Sequence, residues 1–263
     1  MGANAGLACA KKPGHSGARN LAMRLIPALA YLILALPAAA GDLPAGFVYL
    51  RDVAPSIAQD MRYATVNNFT AAPLPGYDAA ECVLRRDAAQ ALAKVQADLA
   101  KDNLSLKTYD CYRPERAVRA MWRWAHDGSQ RGDRSHYPEA AKSELFNLGY
   151  IASRSKHSTG TAVDLTLIPL GAPAPGRNER RGPCTAPASE RAPDNSLDMG
   201  TGFDCFDPKT WTRSDAVTPA QRRNRERLRA AMSVHGFRNY FREWWHYEYG
   251  SPQRTYDFPI EKR

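Results

Sequence analysis

Ser155-Lys156-His157-Ser158-Thr159-Gly160-Thr161-Ala162-Val163-Asp164-Leu165-Thr166-Leu167-Ile168 is the stretch that decides the fold. Its second half, Thr161 to Ile168, alternates as a strand. Val163, Leu165 and Leu167 would face a core, and Ala162, Asp164 and Thr166 would face the other way, because successive side chains leave a strand on opposite sides. The first half lacks that rhythm. Gly160 supplies a turn, which allows His157, just before the strand, to converge on the point where Asp164 emerges.

Outward from this segment the elements are mixed. Phe47–Leu50 reads as an early strand. Residues 85–101 carry Ala88, Leu92, Val95 and Leu99 on one helical stripe, which Asn103 breaks. Leu104–Tyr109 alternates like a strand. Pro114 opens a second helix in the first-turn position, where a missing N–H is harmless, and the helix continues through Val118, Met121 and Trp122. Pro219 opens a basic helix with Leu228, Ala231 and Met232 on its apolar side, and Gly236 ends it. Trp244 to Tyr249 is aromatic and strand-like. Without a regular βαβ alternation, this order predicts an α+β single domain over 41–263: a central antiparallel sheet flanked by helices. Residues 171–197 are rich in Pro, Gly, Arg and Asn and predict a long loop.

The first forty residues read differently. Lys11, Lys12, Arg19 and Arg24 precede or open an apolar run, Leu25–Leu36, with no acid before Asp42, and Pro37-Ala38-Ala39-Ala40 follows. That is a signal peptide, with cleavage expected after Ala40 and Met23 as an alternative start. The run is interrupted by Pro27 and short for a membrane span, so no stable insertion is expected after cleavage. The expected location is periplasmic or secreted. Without those four cations the remainder carries +5 of the formal +9. No aromatic-basic stripe accompanies this mild charge, so nucleic acid is not an expected partner. Cys82, Cys111, Cys184 and Cys205 remain, an even count that suggests two disulfides in an exported chain. Three pairings are possible; Cys82–Cys111 with Cys184–Cys205 closes two modest loops. None of the four sits in a Cys-x-x-Cys pair, which argues against a cysteine metal site.

Three segments concentrate polar chemistry: the one quoted above, Glu243-Trp244-Trp245-His246, and Asp110-Cys111-Tyr112-Arg113-Pro114. A catalytic zinc ion takes three protein ligands and keeps one position for water. His157, Asp164 and His246 form such a set, and Glu243 could serve the water as a base. On a regular strand, positions 243 and 246 would face opposite sides, so Glu243 is expected in a turn or bulge before it. His126, His136 and His235 carry no such pattern.

Together, Ser-x-His-x-x-Gly-x-Ala-x-Asp and the distant Glu-x-x-His resemble the zinc D-Ala-D-Ala peptidases, and most closely the D-alanyl-D-alanine dipeptidase family. Arg62-Tyr63-Ala64-Thr65, Asn68-Phe69, Met199–Asp204 and Tyr256-Asp257-Phe258-Pro259 extend the likeness over nearly the whole chain after residue 40. The resemblance implies one zinc ion per chain on His157, Asp164 and His246, and hydrolysis of a small dipeptide with Glu243 as general base. It implies that Arg113 stabilises the oxyanion and that Asp204 receives the substrate ammonium. Ser155 and Tyr63 would line the pocket. One departure stands out: the connection from Asp164 to Asp204 is longer than is usual for the family, and this loop is expected to roof or reshape the pocket. A carboxypeptidase acting on longer peptides and a non-catalytic wall-binding protein are the alternatives.

Overall fold

The computed structural model describes residues 43–173, 182–251 and 254–262. The expected signal peptide and its cleavage point, and the run Arg177–Arg181, lie outside the described residues. Phe47–Tyr49 (β1) leads into one helical turn, Leu50–Val53 (α1), and then a short strand, Ala58–Gln59 (β2). Val83–Arg85 (β3) pairs with β1 and continues directly into Arg86–Ala100 (α2). Next come Leu104–Asp110 (β4) and Glu115–Ala125 (α3), then Ala162–Pro169 (β5) after a stretch of turns. Pro219–Val234 (α4), Phe237–Asn239 (β6) and His246–Tyr249 (β7) complete the order.

The main sheet runs β2-β4-β5-β7-β6. Its β4-β5, β5-β7 and β7-β6 pairs are antiparallel as expected, but β2 joins β4 in parallel, so the sheet is mixed. The chain path explains this correction. Between β2 and β4 it passes through β3 and α2, a crossover long enough to bring the chain back in the same direction.

The quoted segment forms the middle strand. β5 is buried from Ala162 through Ile168, on both faces. Val163, Leu165 and Leu167 join Leu106 of β4, Leu92 and Val95 of α2 and Leu228 and Met232 of α4 in one apolar cluster. Leu165 is wholly buried there. Truncating it to Ala would cost about 2–5 kcal/mol, and the void would open in that apolar cluster.

Local signals set the helix ends. Asn103 takes a left-handed φ of 56° just beyond α2. Pro114 is the N-cap of α3 rather than its first helical residue, where its missing N–H is equally harmless. Thr218 and Gln221 form a reciprocal capping box at the start of α4. Gly236, at φ 86°, lets the chain leave that helix towards β6.

Both predicted disulfides are formed, Cys82–Cys111 and Cys184–Cys205. A second apolar cluster includes Phe47, Tyr63, Phe69, Tyr112, Met121 and Phe206. The C-terminal segment closes on it: Phe258 stacks on Tyr112 at 4.1 Å, and Asp257 accepts a hydrogen bond from the Arg116 N–H at the start of α3.

Candidate metal centre and its cavity

The site starts from an irregularity in β4. Thr108 lies opposite Leu165, yet the next pair is Asp110 with Asp164, leaving Tyr109 as an extra residue. In an unbroken strand Asp110 would share the face of Leu106 and Thr108. The bulge turns it to the face of Asp164 instead, a common use of a bulge beside a functional site. Asp110 is fully buried there and serves three groups. It accepts from Tyr77 Oη at 2.6 Å and from Arg113 Nε at 2.9 Å, and it lies 3.3 Å from His157 Nδ1.

His157 sits on a short 3-10 turn, Lys156–Thr159, and its own backbone N–H donates to the Ser155 hydroxyl at 3.2 Å. Gly160 ends the turn at φ 76°, and a Cβ there would come within 2.2 Å of the Phe47 ring. The turn brings His157 Nε2 to 3.2 Å from Asp164 Oδ1. His246, opening β7 opposite Asp164, places its Nδ1 3.0 Å from the same oxygen and 3.1 Å from His157 Nε2. All three residues are buried, and their donor atoms form a group that could hold a metal ion.

The electrostatics ask for a cation at that point. Burial works to lower the pKa of His246, but the hydrogen bonds it donates to Asp164 and Glu248 outweigh it and hold the ring up at about 10. Burial works to raise Asp164, yet the charge and hydrogen bond of His157, with those of His246, keep it below the usual carboxylate range. Two ring nitrogens facing one carboxylate oxygen at these distances need positive charge between them, from a proton or from a metal.

Glu243 lies in the turn before β7, not on the strand, so the parity problem is resolved as expected. Its N–H donates to Tyr240 O at 3.0 Å, and Asn239 Nδ2 holds its carbonyl at 2.9 Å. Its carboxylate comes within 3.7 Å of His246 Nδ1, and burial pushes its pKa up to about 7.

Arg113 is buried, with its guanidinium over the Tyr63 ring at 4.8 Å and 3.8 Å from Asp164 Oδ2. Tyr63 Oη donates to Asp204 Oδ2 at 2.6 Å. Asp204 is only 6% exposed, and burial followed by the charge of Asp164 raises its pKa well above the ordinary value. It stands at φ 52°, uncommon for a residue with a side chain. Its surroundings enforce that conformation. His136 Nδ1 meets the Asp204 carbonyl at 3.1 Å, the next residue is crosslinked to Cys184, and buried Arg225 of α4 ties the 199–211 segment through the carbonyls of Met199, Lys209 and Trp211.

The eight predicted site residues thus converge on one cavity of about 260 Å3. Gly149–Ala152 and Arg154 line it, and none of the described residues of 171–197 does. The described end of that loop reaches β4, where Asp194, Asn195 and Ser196 bond to Lys107 and Tyr109, and its Cys184 is crosslinked to Cys205 beside Asp204. Residues 174–181 lie outside the described residues. Sequence reasoning gave no role to Asp110, Glu248 or His136. Only Asp110 had a readable signal, its three-residue spacing from Arg113.

The profile of the D-Ala-D-Ala dipeptidase family matches residues 44–174 and 190–262. The chain belongs to this family. The match makes it a metallopeptidase, and the unmatched piece between the two stretches lies within the long loop and contains Cys184. A D-alanyl-D-alanine dipeptidase of Enterococcus faecium is 32% identical over 82% of this chain and 98% of its own length. That of Streptomyces coelicolor is 35% identical over 81% of this chain and 98% of its own. The Escherichia coli enzyme of that name is 32% identical over 76% and 83% respectively.

Proposed function

We propose that this protein is a zinc-dependent dipeptidase that hydrolyses D-alanyl-D-alanine to two molecules of D-alanine. The observation that carries the reading is the convergence of His157 Nε2, Asp164 Oδ1 and His246 Nδ1 at mutual distances of 3.0–3.2 Å. A tetrahedron with metal–ligand bonds of about 2.0–2.1 Å has edges of about 3.3 Å, so the donor set fits zinc closely. When bound, the zinc supplies Lewis acidity to the attacking water and the scissile carbonyl.

The chain's own groups do the rest. Glu243 takes the proton of the attacking water and hands it to the departing amine; a pKa near neutrality suits both transfers. Arg113 is anchored to Asp110 through Nε and Nη2, while Nη1 meets the Met121 sulfur, a weak acceptor, at 3.9 Å among the described residues. That leaves donor capacity for the oxyanion, held in place before charge develops. Asp204, steadied by Tyr63, receives the free ammonium. Ser155 lines the cavity and holds the His157 turn.

The burial of Asp204 supports a dipeptidase over a carboxypeptidase. A longer peptide has no ammonium at that position and would leave a buried carboxylate unpaired. The signal-like N-terminus and the two disulfides support a periplasmic or secreted location.

The test is D-alanine release from D-Ala-D-Ala by the purified protein, with and without a chelator, beside a pentapeptide ending in D-Ala-D-Ala. Chelator-sensitive release from the dipeptide alone is expected. Release from the pentapeptide instead would make it a carboxypeptidase, and release from neither would remove the reading.

A further inference from the structure

The cavity carries four carboxylates, Asp164, Asp204, Glu243 and Glu248, against three cations, Arg113, Arg154 and Lys156. Arg113 is already bound to Asp110 at 2.8 Å. Arg154 and Lys156 are exposed on the cavity wall, and neither side chain makes an ion pair or hydrogen bond among the described residues. Of these two, Arg154 carries the planar guanidinium fork.

A dipeptide brings one ammonium and one carboxylate. The dipeptidase reading, on which this inference rests, sends the ammonium to Asp204, on the side of Tyr63 and Arg113. The carboxylate then needs a cation elsewhere on the wall. Lys156 belongs to the turn that carries His157, and Arg154 precedes that turn and its Ser155 cap. We infer that Arg154 is the specificity-determining residue that receives the C-terminal carboxylate of the substrate. A guanidinium presents two parallel N–H donors that match a carboxylate, and its exposed position allows it to close on the substrate after the substrate enters. With Asp204 it would measure the dipeptide from both ends.

The experiment compares D-Ala-D-Ala with its C-terminal amide on zinc-loaded wild type, Arg154→Gln, Arg154→Lys and Lys156→Gln. Wild type should favour the acid by about 10- to 100-fold in kcat/KM, carried by KM. Arg154→Gln should bring the acid-to-amide ratio near one by raising KM for the acid, with its zinc content and melting temperature at wild-type values. Arg154→Lys should restore part of the preference. An acid preference that persists in Arg154→Gln, or one that only Lys156→Gln removes, overturns the assignment while leaving the dipeptidase reading intact. If wild type cleaves neither compound, that reading fails and the carboxylate anchor fails with it.

Discussion

His157 donates from Nδ1 to the carbonyl oxygen of Cys111 at 2.7 Å. A carbonyl can only accept, so Nδ1 carries a proton, and Nε2 is the nitrogen left to bind a metal beside Asp164 and His246. Cys111 is itself held to Cys82, so one covalent crosslink fixes the tautomer and aim of a proposed metal ligand. The double variant Cys82→Ala/Cys111→Ala should lose metal affinity by about 10- to 100-fold, read by competition with a chelator, while kcat at saturating zinc falls much less. An unchanged affinity would show that the crosslink serves stability alone.

The other disulfide should give the opposite pattern. Cys205 follows Asp204, far from the metal donors in sequence, and braces its left-handed backbone. Cys184→Ala/Cys205→Ala should raise KM for the dipeptide several-fold and leave metal affinity at the wild-type value. Steady-state kinetics beside the same chelator competition separate the two crosslinks.

Glu243→Ala should lower kcat by about 10²- to 10⁴-fold, the range expected for a lost general base. Its zinc content, measured by elemental analysis, should remain near one per chain. Loss of the metal along with activity would make Glu243 a ligand instead.

Metal-free protein should show a pH signature from the same residue. Burial raises Glu243 from 4.5 to about 7, so the folded chain binds its proton more tightly than the unfolded chain does. Unfolding therefore releases that proton between these two values. The contribution favours folding fully below pH 4.5 and is lost as pH rises through about 7, amounting to at most about 3 kcal/mol. Thermal melts from pH 4.5 to 7.5 should show Glu243→Gln gaining stability relative to wild type as pH rises. Parallel profiles would contradict the shift.

The sequence made β5, α2 and α4 legible because each carries an unbroken period with a clear boundary: Gly160 before β5, Asn103 after α2 and Gly236 after α4. It made the candidate metal donors legible because Gly160 allows His157 to turn towards Asp164, and because the combined motifs around His157, Asp164 and the distant His246 resemble those of a known family. The parallel strand β2 was not legible. Two residues give no period, and its pairing depends on where β4 lies. Asp110 and His136 were hidden for a related reason. Their partners, His157 and the Asp204 carbonyl, are distant in sequence, and nothing local announces a contact with a backbone oxygen. The path of the loop's described end was not legible either, because composition marks 171–197 as a loop without saying which way it folds, and its contacts with Lys107 and Tyr109 are tertiary.

The extra residue at Tyr109 also separates the register of the sheet from the count of the chain. β4 delivers Leu106 and Thr108 to one side of the sheet and Asp110 to the other, an assignment that its present spacing satisfies only through the bulge. Deleting Tyr109 would place Asp110 directly after Thr108 and opposite Asp164 in regular register, so both assignments would survive and the loss would be Tyr109 itself, which stacks on Phe203 and bonds to Asp194. Anyone grafting this site onto another sheet must therefore copy the facing of Asp110 and Asp164, and not only a set of side chains.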